Sequence, residues 1–409
     1  MLFLYTITVL FAGFLLKIIA FFSPKIKLFV DGRKMVFPVL EQKIKPIDKT
    51  IWFHAASLGE YEQGLPVIEK IKEQFPSHKI VITFFSPSGY EVRKNNTVAD
   101  VTVYLPLDTK KNAQHFLKLV HPDLVFFIKY EYWPNYLYQL KKEGIKTYLI
   151  SGILRKNQLF FKWYGGFFRE ALDTFTYFFV QNDSSKKLLL QLGKTNVAVS
   201  GDTRFDRVVA ILEKDNSLDF IEDFLSVRAQ SRTTTTIVIG SSWPKDENIL
   251  VDFIIAPHNI KSEQILNLKN SITKKTVLFS EKEGKSLADF DVFIIDTIGI
   301  LTKIYSYADI AYVGGGFGNP GVHNILEPAT FGVPIVIGSN YSHFAEAPAL
   351  VNMNGCLSVS NQKELNEAFE NLIQNEDIQH EKGHICSTFV QMNKGATTII
   401  LKHILNDSI

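Results

Sequence analysis

Two carboxylates in the first half of the chain each stand just past a short apolar run. Glu60 closes the stretch HAASLGE, residues 54–60, directly after the β-like run Ile51–His54. The small residues Ala55, Ala56, Ser57 and Gly59 make a sterically open turn into a helix. At that helix start Glu60 is placed either to take a proton from an acceptor hydroxyl or simply to complement the helix dipole. Glu131 lies in KYEYWPN, residues 129–135, after the run Leu124–Ile128, with Pro134 marking the next helix. Tyr130, Tyr132 and Trp133 read as packing under the loop, but an unpaired carboxylate among them is costly to bury. Arg204, in GDTRFD (residues 201–206), could hold a phosphate or carboxylate by a two-pronged hydrogen bond, or pair with Asp202 or Asp206.

In the second half, loops with ligand-binding character again follow apolar runs: Gly240-Ser241-Ser242, Pro257-His258, 296–299, and the block 314–346, GGGFGNPGVHNILEPATFGVPIVIGSNYSHFAE. Gly314, Gly315 and Gly316 remove every Cβ where a phosphate or sugar could approach the backbone. The short helical segment carrying Glu327 would aim its unpaired N–H groups the same way. Asp289 and Asp291 precede their strand, on the edge opposite a ligand crevice, and no His/Cys/Asp cluster has ligand spacing, so no metal is expected.

Positioning these loops requires alternating strands and helices. Near-continuous Val, Ile, Phe and Leu runs at 51–54, 80–85, 101–104, 124–128, 147–150, 177–180 and 197–199 predict buried parallel strands, with amphipathic helices at 65–74, 111–120, 135–142 and 184–192 between them. A polar stretch near 213–236 interrupts the rhythm, which resumes at 237–239, 253–256, 276–279, 292–295, 310–313 and 334–337. The expected organisation is therefore an α/β protein with two Rossmann-like, doubly wound parallel-sheet domains facing a cleft. The domains run over 50–210 and 236–384, joined by a linker at 211–235 and followed by a closing helix at 385–409 that Gly395 interrupts. Between Gly240 and the strand near Phe253 only a minimal helix fits, at about 246–250.

Composition is globular, with 46% hydrophobic and 21% charged residues. A formal charge of +2 argues against nucleic acid as a partner. The two cysteines, Cys356 and Cys386, have no metal-like spacing and suit a reducing compartment as small buried side chains. Residues 1–22 are apolar save Lys17, enough for an anchor helix that either spans a bilayer or lies in one leaflet. Lys25, Lys27, Arg33 and Lys34 in the connecting segment 23–49 place the body of the chain at the cytoplasmic face. The aromatic and basic stretch 155–169, RKNQLFFKWYGGFFR, reads as a membrane-surface loop or acceptor flap, or as a solvated loop packed on its own domain.

The apolar start, HAASLGE, EYWPN, GDTRFD, GSS and the GGGFG…HNILEPATFGVPIVIG block together resemble the 3-deoxy-D-manno-octulosonic acid (Kdo) transferases of lipopolysaccharide synthesis, membrane-anchored glycosyltransferases of the GT-B type. The resemblance covers nearly the whole chain. It implies metal-independent, inverting transfer of Kdo from CMP-Kdo to a lipid A precursor of the lipid IVA type, at the cytoplasmic face of the inner membrane. It implies Glu60 as general base, with Glu131 and Arg204 stabilising the transition state. It places CMP on Pro257, His258, Ile298, Gly299, Ile300, Asn324, Ile325, Leu326 and Glu327, with Glu327 on the ribose, and less firmly on Gly240, Ser241, Ser242 and Gly314–Gly316. No cofactor beyond the CMP-Kdo donor is implied. The chain departs from the family pattern at Lys129 (often Glu), Arg204 (usually Lys), His258 (Arg) and 298–300 (Met-Gly-Glu), and it is shorter after Gly240.

Overall fold

The computed structural model describes residues 2–226, 235–247 and 254–407. They divide into two units, Met1–Arg207 with Lys394–Ile409, and Val208–Asn393. Part of the expected linker (227–234) and of the short crossover (248–253) lie outside the described residues.

In the first unit, β1 (Lys49–Ala55), β2 (His78–Phe84), β3 (Val101–Tyr104), β4 (Pro122–Ile128), β5 (Lys146–Gly152), β6 (Tyr177–Val180) and β7 (Val197–Val199) form one sheet in the order β3-β2-β1-β4-β5-β6-β7. The pairings are parallel. Alternate residues of β1 and β4 feed different cores: Trp52, Val125 and Phe127 on one face, Ile51, Phe53 and Phe126 on the other. Burial on both faces is why these strands read as continuous apolar runs rather than alternating ones. The helix after β1 runs from Leu58 to Gln74 straight through Pro66. Pro66 cannot donate to the Glu62 carbonyl one turn back. Arg207 donates to that oxygen instead, at 3.3 Å, so the helix continues.

The second unit repeats the plan with β8 (Ile237–Ser242), β9 (Ile254–Pro257), β10 (Thr276–Leu278), β11 (Val292–Ile294), β12 (Ile310–Val313), β13 (Ile335–Gly338) and β14 (Cys356–Val359), ordered β10-β11-β9-β8-β12-β13-β14. Residues 211–226 of the expected linker carry a helix, Asp219–Leu225, whose Phe224 packs 5.3 Å from the Phe293 ring of β11. The closing segment is two helices assigned to different units: Glu376–Asn393 stays with the second, and Ala396–Asp407 returns to the first. Asp206 receives the Gly395 and Thr397 N–H groups at the start of that last helix, whose Ile400 and Ile404 enter the β1–β4 core.

In both sheets the strand order reverses beside the first strand, between β1 and β4 and between β8 and β12. The carboxyl ends of strands flanking such a reversal splay their loops apart and leave room for a ligand. The loops so placed are HAASLGE with KYEYWPN, and GSSW with GGGFG.

The apolar helix Leu2–Ile19 docks a narrow stripe on the first unit. The Tyr5 hydroxyl donates to Asp108 at 2.8 Å, and Gly13 lies so close to Leu107 that a Cβ there would come within 2.7 Å of its side chain. Phe3, Ile7, Leu10, Phe11, Phe14 and Ile18 face outward. Arg33, expected among the surface cations, is instead an internal staple. Its guanidinium donates to the Phe29, Phe85 and Leu105 carbonyls and lies 3.5 Å from the centre of the Phe29 ring. Burial lowers it to about 9.

Candidate active site

Glu60 is buried at the third position of its helix. One carboxylate oxygen accepts from the Ser57 N–H at 2.8 Å and the Ser57 hydroxyl at 3.2 Å, a capping box. Helix capping and a chemical role are thus compatible, since the other oxygen remains for a different partner. Burial raises the Glu60 carboxyl above the usual range and the Glu131 charge adds to this, while the Ser57 N–H and Lys129 pull the other way.

Glu131 joins it from the loop after β4. The Trp133 indole N–H is shared between Glu131 Oε2 and His54 Nε2, at 2.9 Å to each, and those two acceptors are 3.4 Å apart. An indole N–H only donates, so His54 meets it with the Nε2 lone pair. That assigns the imidazole proton to Nδ1, which faces the Thr83 hydroxyl at 2.9 Å. Thr83 also accepts from Trp52 at 2.7 Å. Trp133 therefore orients the carboxylate as well as packing under the loop.

Lys129, at the turn between them, sits at φ 72°, outside the usual range for a side-chain-bearing residue. Burial lowers its ammonium and Glu60 raises it, with Arg204 acting in the lowering sense. Arg204 donates to Asp202 through Nε at 2.9 Å and through its terminal nitrogen at 2.8 Å. Gln63 fixes the other Asp202 oxygen at 2.7 Å. Arg204 thus pairs with Asp202, whereas Asp206 serves the last helix. Its guanidinium is one-third exposed.

In the second unit the glycine block is packed against protein. A Cβ on Gly314 would lie 2.4 Å from the Ser241 carbonyl oxygen, one on Gly315 2.2 Å from that of Gly321, and one on Gly316 2.6 Å from Gly338. The Gly314 N–H bonds Gly240 and the Gly315 N–H bonds Asp246. The absent side chains let backbone approach backbone, so those two N–H groups are already engaged. Buried Asp246 holds the loops together, accepting also from Trp243 N–H at 2.9 Å and from the Tyr312 hydroxyl at 2.7 Å. Gly240 is pressed on Tyr305, Ser241 takes φ 55°, and Ser242 is buried.

The face beside this block is aromatic. Trp243 stacks on His258 with ring centres 4.6 Å apart, His258 on His323 at 4.5 Å, and Trp243 donates to His323 Nε2 at 2.9 Å. Burial lowers both imidazoles, His323 to about 4. Glu327 is held through both oxygens, by Thr302 at 2.7 Å and Asn324 at 2.9 Å. Asn324 also accepts the Leu326 N–H at 3.2 Å, Ile325 is buried, and Pro257 ends β9 beside His258. Ile298 and Gly299 form an open loop, Gly299 at φ 97° with open space where a Cβ would stand and Ile298 exposed, and Ile300 precedes the short helix Leu301–Ile304. Among the described residues no group of three His, Cys, Asp or Glu could hold a metal.

The family model described as 3-deoxy-D-manno-octulosonic-acid transferase (kdotransferase) matches residues 32–207. The 3-deoxy-D-manno-octulosonic acid transferase of Chlamydia trachomatis serovar D is 30% identical over 366 residues, 85% of this chain and 83% of that protein. This chain belongs to the Kdo transferase family. The Aquifex aeolicus Kdo transferase is 27% identical over 76% of this chain and 81% of its own. Among solved structures, Neisseria meningitidis UDP-GlcNAc 2-epimerase superposes with TM-score 0.59 at 17% identity, covering 88% of this chain and 100% of that one. Acinetobacter baumannii MurG gives 0.52 at 13% identity over 88% and 99%. These two likenesses bear on the fold alone and agree with a GT-B-like pair of parallel sheets. In this Kdo transferase the position where the resemblance implies arginine, His258, is a ring in a stack whose burial disfavours its charged form. The connectors unread in sequence are His54, Thr83, Asp246, Trp243 and His323, whereas Asp202 is one of the two partners that the sequence offered for Arg204. A buried His ending an apolar strand was the one available signal, at His54.

Proposed function

We propose that this glycosyltransferase moves Kdo from CMP-Kdo to a hydroxyl of a lipid A precursor of the lipid IVA type, inverting the anomeric centre, at the cytoplasmic surface of the inner membrane. The observation that carries the reading is Glu60: a buried carboxylate raised by its surroundings, at the reversal point of the first sheet, with one oxygen tied to Ser57. Such a group holds a proton more readily than an ordinary glutamate, which suits a general base.

In the reaction, Glu60 takes the acceptor's hydroxyl proton. The oxygen forms a bond to the anomeric carbon of Kdo as the bond from that carbon to the CMP phosphate breaks, and the phosphate leaves with the electron pair. Glu131, oriented by Trp133, and the Lys129 and Arg204 cations set the charge around the developing oxocarbenium character. The second unit carries the nucleotide on Pro257, His258, 298–300 and 324–327, where Glu327, aligned by Thr302 and Asn324, receives the ribose hydroxyls. No metal or cofactor takes part in this scheme. The apolar helix Leu2–Ile19 brings the first unit to the lipid surface that holds the acceptor.

The test is incubation of purified protein with CMP-Kdo labelled in the sugar and a lipid A precursor, with the product's anomeric configuration read by NMR. Labelled lipid with an inverted linkage is expected. Absence of labelled lipid, or a retained configuration, would overturn the reading.

A further inference from the structure

His54 stands one residue before the end of β1 with its side chain fully buried. It pairs across the sheet with Thr83 of β2 on one side and with Phe127 of β4 on the other. That places it at the reversal of strand order from which the loop carrying Glu131 departs.

Two separate hydrogen-bond patterns fix one form of its ring. On the Nδ1 side, the Thr83 hydroxyl accepts from the Trp52 indole at 2.7 Å and donates to the Phe53 carbonyl at 3.4 Å. With its one hydrogen so used, Thr83 meets Nδ1 at 2.9 Å with a lone pair, and Nδ1 carries the proton. On the other side, the Trp133 indole N–H lies 2.9 Å from Nε2 and requires a lone pair there. A neutral imidazole protonated on Nδ1 meets both requirements, and no other form does.

The Nε2 lone pair bears on Glu131. Glu131 Oε2 and His54 Nε2 are 3.4 Å apart, and two acceptors at that distance repel unless a hydrogen lies between them. Trp133 supplies that hydrogen, with its nitrogen 2.9 Å from each. The indole is itself held, packed on Phe85 with ring centres 4.7 Å apart and edge-on to His54 at 6.1 Å. The bonds to Glu131 fall on Oε2, which leaves Oε1 for a substrate atom.

We propose that His54 is a positioning residue for the transfer: its Nε2 lone pair and Glu131 Oε2 share the Trp133 N–H, and this pins the Glu131 carboxylate at the carboxyl end of the sheet. The inference rests on the transferase reading. His54 acts through Trp133 and touches no substrate, so its loss slows the chemical step without loosening the donor.

Four variants, assayed for kcat, KM for CMP-Kdo and melting temperature, test it. His54→Asn keeps an amide near Thr83 but has no atom at the Nε2 position. His54→Gln reaches that position with an oxygen that can accept the indole N–H. Trp133→Phe removes the shared hydrogen, and the fourth variant combines it with His54→Asn. His54→Asn should lower kcat about tenfold, on the order of one hydrogen bond, with KM for CMP-Kdo unchanged. His54→Gln should recover kcat to within about threefold of the unaltered enzyme. The double variant should be no slower than Trp133→Phe alone, because both changes remove the same shared bond. Multiplied losses in the double variant, equal losses in His54→Asn and His54→Gln, or a normal kcat in Trp133→Phe would each overturn the positioning role while leaving the transferase in place. Trp133→Phe carries the test if a change at buried His54 prevents folding: a kcat loss of about tenfold supports the shared hydrogen and a normal kcat overturns it. Failure of the unaltered protein to transfer Kdo overturns the functional reading and this inference with it.

Discussion

Glu60 sits where two demands meet on one side chain. It caps its helix through Ser57, and it is held in surroundings that disfavour its charge. Glu60→Gln separates the two. Glutamine at the third helical position still completes a capping box, so thermal stability should stay within about 0.5 kcal/mol. The loss of a proton acceptor should lower kcat by about 10²–10⁴-fold. Near-normal kcat would remove Glu60 from the base role. The same surroundings set a pH dependence. A raised carboxyl pKa means that the proton-accepting form is lost on acidification at a higher pH than for an ordinary glutamate. The acid limb of kcat/KM in the unaltered enzyme should therefore lie above the usual carboxylate range, and any residual Glu60→Gln activity should lack that limb. At this scale the sequence showed the endpoints but not the connections. Glu60, Glu131 and Arg204 stand in recognisable motifs at strand ends. The Trp133–His54 bond spans 79 positions and depends on β1 and β4 being neighbours, which spacing alone leaves open.

At the scale of elements, what was legible followed burial. Strands covered on both faces announce themselves as apolar runs, and those runs coincide with β1 to β13. Edge strand β14, Cys-Leu-Ser-Val with two half-exposed residues, does not. The Leu58–Gln74 helix is legible at its start, in the turn that leads into it at Glu60, and again in the amphipathic run 65–74, but its passage through Pro66 is not, because Arg207 meets the Glu62 carbonyl there from a distant part of the chain. The glycines divide by what surrounds them. A Cβ at Gly59 meets nothing within 4 Å, whereas at Gly316 it meets Gly338 backbone at 2.6 Å. Gly59→Ala should therefore leave stability unchanged or raise it by up to about 1 kcal/mol, yet raise acceptor KM, because the open space beside Glu60 is where the acceptor would lie. Gly316→Ala should destabilise by about 1–3 kcal/mol through forced displacement of packed backbone. Urea unfolding of the two variants, followed by acceptor kinetics on Gly59→Ala, checks both. A destabilised Gly59→Ala with unchanged KM would show that this glycine serves folding rather than substrate.

For the molecule as a whole, two parallel sheets wound the same way would need no apolar helix to fold, and the Leu2–Ile19 helix buries only a stripe. Contacts at Tyr5 and Gly13, eight residues apart on one face, hold it along the first unit rather than letting it project away. A helix docked along its length keeps one face on protein and turns the other outward; we propose that this outward face lies in one leaflet. The sequence alone left both modes open, because length and hydropathy are the same for each. On that proposal the outward phenylalanines Phe3 and Phe14 would be its membrane contacts, each worth about 1.5–3 kcal/mol if fully buried. Replacing both with serine should weaken partition onto anionic phospholipid vesicles by at least about 100-fold. Neither side chain packs in the protein core, so the melting temperature should hold. Transfer to a stripped, water-soluble acceptor should also hold, while transfer to vesicle-borne acceptor falls with the loss of binding. Co-sedimentation, a melt and the two transfer assays on one variant decide it: vesicle binding that survives the double substitution would mean that this helix face does not meet the lipid.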